Sequence, residues 1–391
     1  MPYRVLSLDG GGVWAVIQVK ALIKLYAESA TGYEVLRDFD LVAGTSGGSI
    51  VVGGLVENVT LGQLLNFFAD EANRRAIFSP TPNALYKVLS FLHAVPKYSA
   101  AAKLTAFQRL LPNSGGVALS AAVKGVRRER SDNDVHILIT SFDYDANTAR
   151  FFRSAAASGP DWGVGAPSDT TLAEAIHASS NAPVVFFDAP ASFGNGRYWD
   201  GAITGCNNPV LAAVAEAIVI GHDPEDIAAL SIGTSSPALL GPPGTNPGSP
   251  FYQTKPKQGF GTDFQKLASS VTDEPPDVAN FLAHVMTGGK SGLAAGVQSR
   301  IVRMNPLRSP VKDGDGWKPP GQMTEAEFAH FLNVAMDAVD PDEFAYITAY
   351  ADLWLDGLAP NQPIRMNSDN LEPELGYARY ADAAKGWDAV R

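Results

Sequence analysis

Short unbroken apolar runs alternate along this chain with longer stretches in which apolar positions recur every three or four residues. "YRVLSLD" reads as a strand buried on both faces. The glycines after it lead into "VWAVIQVKALIKLYAESA", whose Val16, Val19, Leu22, Ile23 and Tyr26 fall on one helical face. "FDLVAG" is a second short strand and "SIVVGGLV" continues a second helix, so β-loop-α occurs twice in quick succession, the opening of a doubly wound parallel sheet. Residues 61–130 carry helical periodicity, broken by a loop at "FSPTPN". "DVHILITSFDYDANTARFFRSAA" alternates like a hairpin with its turn near Asp145 to Asn147, and "TTLAEAIHASSNAP" is a helix ending near Pro183. "RYWDGA", the helical "PVLAAVAEAIV" and "IAALSIGTS" close a further β-α-β unit. The pattern predicts an α/β fold around a mostly parallel sheet with helices on both faces.

After Thr234 the pattern changes. "SSPALLGPPGTNPGSPFYQTKPKQGFG" is rich in proline and glycine and reads as a loop or flap, and the chain beyond it reads as mostly helical to about residue 358. This divides the chain into a core over 1–240 and an extension over 241–391 packed on that core. "DGDG" at Asp313 to Gly316 begins like a calcium loop, but Lys318 stands where that loop needs glycine, so a tight turn is expected. No internal repeat is visible.

The 391 residues, 46% hydrophobic and 18% charged, suit a globular protein with a large core. A net charge of -11 argues against nucleic acid as a partner and against electrostatic docking on anionic lipid, so any transient membrane contact would be apolar. The single cysteine, Cys206, allows no internal disulfide and fits a reducing compartment. No apolar stretch approaches the ~18 residues of a spanning helix, and the chain enters a strand by Arg4 with no apolar leader before it. A cytoplasmic location is the expectation. Oligomeric state is not legible.

Two glycine clusters carry the candidate chemistry. Gly10, Gly11 and Gly12 follow the first strand, where something must approach the backbone closely: a nucleotide phosphate or an oxyanion formed during a reaction. Gly10-x-Gly12-x-x-Ala15 meets the loose dinucleotide fingerprint, with Glu34 about twenty residues on. Asp9, however, would put a carboxylate beside the pyrophosphate. "GTSGG" at 44–48 is a G-x-S-x-G between a strand and a helix, the setting of a nucleophile elbow. Ser46 is the candidate nucleophile, and the backbone N–H groups of Gly47 and of Gly10, Gly11 and Gly12 are candidate oxyanion donors. For the base, His222, His284 and His330 come late enough in the chain, but His284 and His330 fall in helical pattern and read as helix-surface residues. Asp200, ending a strand ahead of Gly201, is the better candidate, and its plain alternative is a turn-capping aspartate. No cofactor or metal is expected, because histidines and carboxylates nowhere cluster at ligand spacing.

Taken in order, "DGGG" at 9–12, "GTSGG" at 44–48, "HASSNAPVVF" at 177–186, "DGAITGCNNP" at 200–209 and "LSIGTSS" at 230–236 resemble the motifs of the patatin-like phospholipases, lipid acyl hydrolases that use a Ser-Asp dyad. The resemblance covers about residues 3–236. It implies a three-layer α/β/α sandwich with Ser46 as nucleophile, Asp200 as general base, an oxyanion hole at Gly10, Gly11, Gly12 and Gly47, and a lipid or acyl-ester substrate. One departure stands out: where the family has an arginine two residues after its last glycine, followed by glycine, this chain has Trp14 and Ala15. Trp14 is open to two readings, as a wall of an acyl channel or as a helix residue packed on the sheet. Phe67, Phe68, Phe91 and Leu92 are candidates for lining an acyl passage, and the 61–130 helices and the 236–262 loop for covering it. A catalytically silent lipid-binding relative and a dinucleotide-dependent oxidoreductase are the competing functions. Ester turnover separates the first from the hydrolase, and stabilisation by NAD(H) would favour the second.

Overall fold

The computed structural model of the chain describes residues 2–81, 96–126, 133–154, 170–183, 186–241, 248–254, 257–259, 262–263, 275–290 and 299–391. Phe91, Leu92, the two valines of "APVVF" and part of the 236–262 loop lie outside them. Eight strands form one mixed sheet: β1 (Tyr3–Leu8), β2 (Leu41–Gly44), β3 (His136–Asp143), β4 (Thr148–Arg153), β5 (Ala191–Phe193), β6 (Gly196–Asp200), β7 (Ile227–Ile232) and β8 (Ile301–Met304). The order across it is β5-β6-β3-β2-β1-β7-β8, with β4 also on β3. Every pairing from β3 to β8 is parallel, while β4, β5 and β6 join antiparallel.

Among the described residues the α-helices of six residues or more are α1 (Val16–Tyr26), α2 (Gly32–Arg37), α3 (Gly47–Val56), α4 (Leu61–Ala69), α5 (Glu71–Ile77), α6 (Ala100–Leu110), α7 (Leu172–Ser179), α8 (Val210–Val219), α9 (Pro275–Met286), α10 (Glu325–Phe331), α11 (Pro341–Leu355) and α12 (Tyr380–Val390). Four of them, α2, α4, α7 and α10, start with the same device. A threonine hydroxyl accepts from the amide three residues on, and the Glu or Gln there reaches back to the threonine amide.

Alternation along the strands builds two cores. Leu6, Leu8, Val42, Ile137, Ile139, Leu230 and Ile232 face one way, against α1, α3 and α7. Tyr3, Val5, Leu41, Ala43, Leu138, Ile227 and Ala229 face the other, against α8 and α9. The result is the three-layer α/β/α sandwich, with α4, α5 and α6 stacked outside the first helical layer. Parallel strands covered on both faces are why the sequence shows continuous apolar runs there.

The C-terminal third differs from its sequence reading. Residues 301–304, expected in a mostly helical stretch, are the edge strand β8, so the central sheet draws on chain from both sides of residue 240. A four-residue strand buried on both faces looks the same as a helix fragment in sequence. Val311–Asp313 and Gly316–Lys318 form a hairpin closed by the tight turn expected at "DGDG". His284, expected on a helix surface, is buried, with its Nδ1 2.8 Å from the Ser299 hydroxyl.

Candidate functional site

Strands β2 and β6 end nose to nose on one edge of β3. β2 lies along His136 to Ile139 and stops at Gly44, whereas β6, running the opposite way, lies along Ser141 to Asp143 and stops at Asp200. β4 occupies the other edge. The two carboxyl ends therefore point at each other across Thr140. Its hydroxyl donates to that of Thr45 at 2.7 Å, because Thr45 gives its own proton to the Cys206 carbonyl at 2.6 Å. Only a glycine fits at position 201, since a Cβ there would lie 2.2 Å from the Thr140 hydroxyl.

Ser46 follows β2 with φ 50° and ψ −119°. A non-glycine residue held there carries of order 1–3 kcal/mol of strain, which surrounding contacts must offset. Those contacts are explicit. The Ser46 amide donates to Ser179 Oγ at 2.9 Å, Thr45 N donates to Leu8 O at 3.1 Å, and Ser49 Oγ donates to Ser46 O at 2.6 Å. Helix α3 leaves this turn so close to β1 that a Cβ on Gly48 would sit 2.2 Å from Leu8 O.

Asp200 is buried; its carboxylate accepts from the Ala202 amide at 2.9 Å and lies beside the Ser46 hydroxyl, which lowers its proton affinity. Its backbone N–H donates to Asn181 O at 3.0 Å. Burial pushes its carboxyl up to about 6, against the opposing pull of these hydrogen bonds and of the Lys103 ammonium. Sequence-distant Ser46 and Asp200 are thus in direct contact, and the acceptor is a stronger base than an ordinary carboxylate.

The glycine loop lies over Ser46: a Cβ on Gly10 would come 3.1 Å from the Ser46 Cβ, and one on Gly47 would come 2.5 Å from Gly12 O. Gly10 departs from expectation, because its amide already donates to Asn207 O at 2.8 Å and is not free for an oxyanion. Among the described residues the amides of Gly11, Gly12 and Gly47 have no acceptor, and Gly12 and Gly47 border the same small cavity as Ser46. Gly12 has φ +59°, and a Cβ on it would meet Met336 O at 2.4 Å.

That contact belongs to a clamp from the C-terminal third. Val13 N donates to Met336 O at 2.9 Å, and Trp14 Nε1 donates to Ala335 O at 3.0 Å. Arg303 on β8 donates to Asp9 Oδ2 at 2.6 Å and to Ser231 Oγ at 2.9 Å. Burial pushes the Asp9 carboxyl up to about 6, although Arg303 draws it down. Trp14 is a packing residue, 4% exposed against Phe331 and under the Arg308 guanidinium. Val13 N is held by Met336 and Trp14 N by Gly11 O, so two of the amides where the loop enters the helix are engaged within the protein.

The cavity at Ser46 is walled by Ile50, Ile77, Phe78 and Phe187. A second one beside it shares Gly12, Ile50, Ile77 and Phe78 and adds Phe67 and Phe68. A third, of about 150 Å³, shares Ile50 and Phe67 and continues to Gly54, Leu64, Phe107, Leu110 and Ile176, with Glu57 at its far end. Three apolar spaces therefore follow α3 away from Ser46, and Ile50 is a wall of each.

Sequence reasoning missed Lys103, Arg303 and the turn at 179–181. Lys103 sits at a helical interval with Ala100 and Phe107, so its place on an apolar stripe was the available signal. Arg303 inside the apolar "IVRM" was a similar clue.

The patatin-like phospholipase family model matches residues 6–214. "Phospholipase A I" of Arabidopsis thaliana is 26% identical over 276 residues, 60% of this chain but 21% of that protein, so the chain spans about a fifth of the curated relative's length. VipD from Legionella pneumophila is a structural neighbour with a TM-score of 0.36 at 10% identity, covering 90% of this chain and 67% of that one. With its glycine loop, strained serine turn and buried aspartate falling within the matched segment or in the sheet it builds, the chain belongs to the patatin-like phospholipase family.

Proposed function

We propose that this protein hydrolyses fatty-acyl esters through an acyl-enzyme on Ser46, with Asp200 as general base. Asp200 takes the hydroxyl proton as Ser46 Oγ adds to the ester carbonyl, and the tetrahedral oxyanion is held by the amides of Gly12 and Gly47, with Gly11 beside them. Collapse breaks the ester C–O bond, and the departing alcohol takes the proton from Asp200. Water then gives a proton to Asp200 as it attacks the acyl-Ser46 ester, and the fatty acid leaves as Ser46 recovers its hydrogen. The acyl chain lies along α3, past Ile50 and Phe67. No metal or organic cofactor enters this scheme.

The observation that supports the reading is the Ser46 hydroxyl, in a strained strand-to-helix turn, beside a buried carboxylate whose proton affinity is raised toward neutrality. Family membership supports lipid acyl hydrolysis in general. Phospholipids, lysophospholipids and acylglycerols are all candidate substrates. With Trp14 buried in the place of the family's arginine, acyl recognition is a firmer basis for selectivity than phosphate recognition.

Fluorophosphonate labelling followed by intact mass tests the nucleophile: one adduct on the parent and none on Ser46→Ala is expected. An unlabelled parent, where a known serine esterase labels fully, overturns the reading. p-Nitrophenyl esters of rising chain length, then phospholipid and monoacylglycerol panels, identify the substrate class.

A further inference from the structure

A lysine with no part in the acyl-transfer steps lies inside the site. Lys103, on α6, is fully buried. Its Nζ donates to Ser180 O at 2.7 Å and stands 3.9 Å from the centre of the Phe187 ring, which also walls the Ser46 cavity. Ser180 is the middle of a three-residue turn in which each member holds a different group. Ser179 Oγ accepts from the Ser46 amide, Ser180 O accepts from Lys103, and Asn181 O accepts from the Asp200 amide. One backbone segment thus sets the nucleophile, the carboxylate and a cation in fixed relation. Desolvating an ammonium is expensive unless an opposite charge or good acceptors offset it, and here one carbonyl and one ring face are its direct contacts.

We infer that Lys103 is an electrostatic positioning residue for the Ser46–Asp200 pair, a buried cation that keeps the Asp200 carboxylate ionised and so sets the acid limit of the activity. This rests on the proposed role of Asp200 as base. Among the described residues, Lys103 is the cation that acts on Asp200. From β3, Ser141 lies in register with it and is neutral. Arg150 on β4 is in register with Ser141 and so lies two strands from Asp200, acting on Tyr198 instead. His177 on α7 faces Lys103, and burial together with that ammonium holds it neutral. Ser46 and the Ala202 amide contribute hydrogen bonds but no charge. Burial draws the Lys103 ammonium well below the usual lysine range, and Asp200 draws it back up.

Lys103→Met keeps length and ring contact while removing the charge. The experiment is the pH profile of kcat/KM for a p-nitrophenyl ester on parent and variant, with thermal melting to show that both are folded. The acid limb of the parent is expected near pH 6 and that of the variant at least one unit higher, so turnover at pH 6 falls about fivefold or more and the profiles converge as pH rises. A uniform loss with an unmoved limb assigns Lys103 a merely structural role and overturns the inference. Titration of the Asp200 carboxyl by carbon NMR of aspartate-labelled protein, assigned with Asp200→Asn, reads the same shift without turnover. If the parent proves inactive, an Asp200 titration unchanged by Lys103→Met still refutes the electrostatic role, and a raised one still supports it. If Lys103→Met fails to fold, Lys103→Gln is titrated instead, with the same two outcomes.

Discussion

The floor and the roof of this site are built by different means. The floor is Ser46 and Asp200, placed by the ends of two strands that share an edge of β3 and by short glycine-containing turns whose requirements are local. The roof is the glycine loop. Its conformation depends on Met336, Ala335 and Arg303, which come from a region with no recognisable motif. In the proposed mechanism the reacting atoms sit on the floor, and the amides that would receive the developing charge hang from contacts made more than 290 residues away in the chain. Chemistry is concentrated in a few residues, whereas its preorganisation is distributed.

Four experiments sharpen or break that contrast. Ser46→Ala and Asp200→Asn attack the floor, and each should lower ester turnover by roughly 10⁴-fold or more, with melting temperature showing a folded protein. Retention of activity by Asp200→Asn would move the base to another residue. Gly12→Ala attacks the seam between floor and roof. Position 12 has φ +59° and Met336 O in the way of a Cβ, so a displaced loop should lower kcat by about 10²–10³-fold, read by saturation kinetics on a short ester. Arg303→Met attacks the roof from below. Leaving Asp9 buried without its cation should destabilise the fold by about 3–5 kcal/mol in urea titration, with the loss of turnover smaller than for Gly12→Ala. A variant as stable as the parent would show that the C-terminal clamp is incidental. The smallest effect belongs to the acyl path: Leu110→Trp, narrowing the distal cavity, should leave short-ester turnover within about threefold and shift the preferred chain length downward, measured across the ester series. An unchanged preference would place the acyl chain elsewhere.

Much of the floor was legible in the sequence, because the physics there is local. The elbow needs glycine beside the serine, the β1 run needs unbroken apolar residues, and four helices announce themselves with Thr-x-x-Glu or Thr-x-x-Gln. The pairing of Ser46 with Asp200 was expected from Asp200 ending a strand ahead of Gly201 and from the order of the motifs. The roof was not legible. Gly10 looked like an oxyanion donor, yet its amide is engaged by Asn207, a tertiary partner that no local pattern announces. β8 is too short to be told from a helical fragment, and the partners of Lys103 and Arg303 lie far from them along the chain. Trp14 raised the question of a lost cation. Tertiary structure gives part of the answer, since Arg308 stacks on Trp14 itself and Arg303 sits at Asp9.

The head-on meeting of β2 and β6 also dictates when, during synthesis, a growing polypeptide becomes competent. In the proposed mechanism, a ribosome that has released only the first three helices has made a serine with nothing to take its proton, and the acceptor arrives with the strand that ends at Asp200. Even then the segment holding Met336, which fastens the canopy of amides, has yet to emerge. In the proposed mechanism a half-made molecule would therefore carry Ser46 in an inert form, arming it only as the last third folds back across the sheet.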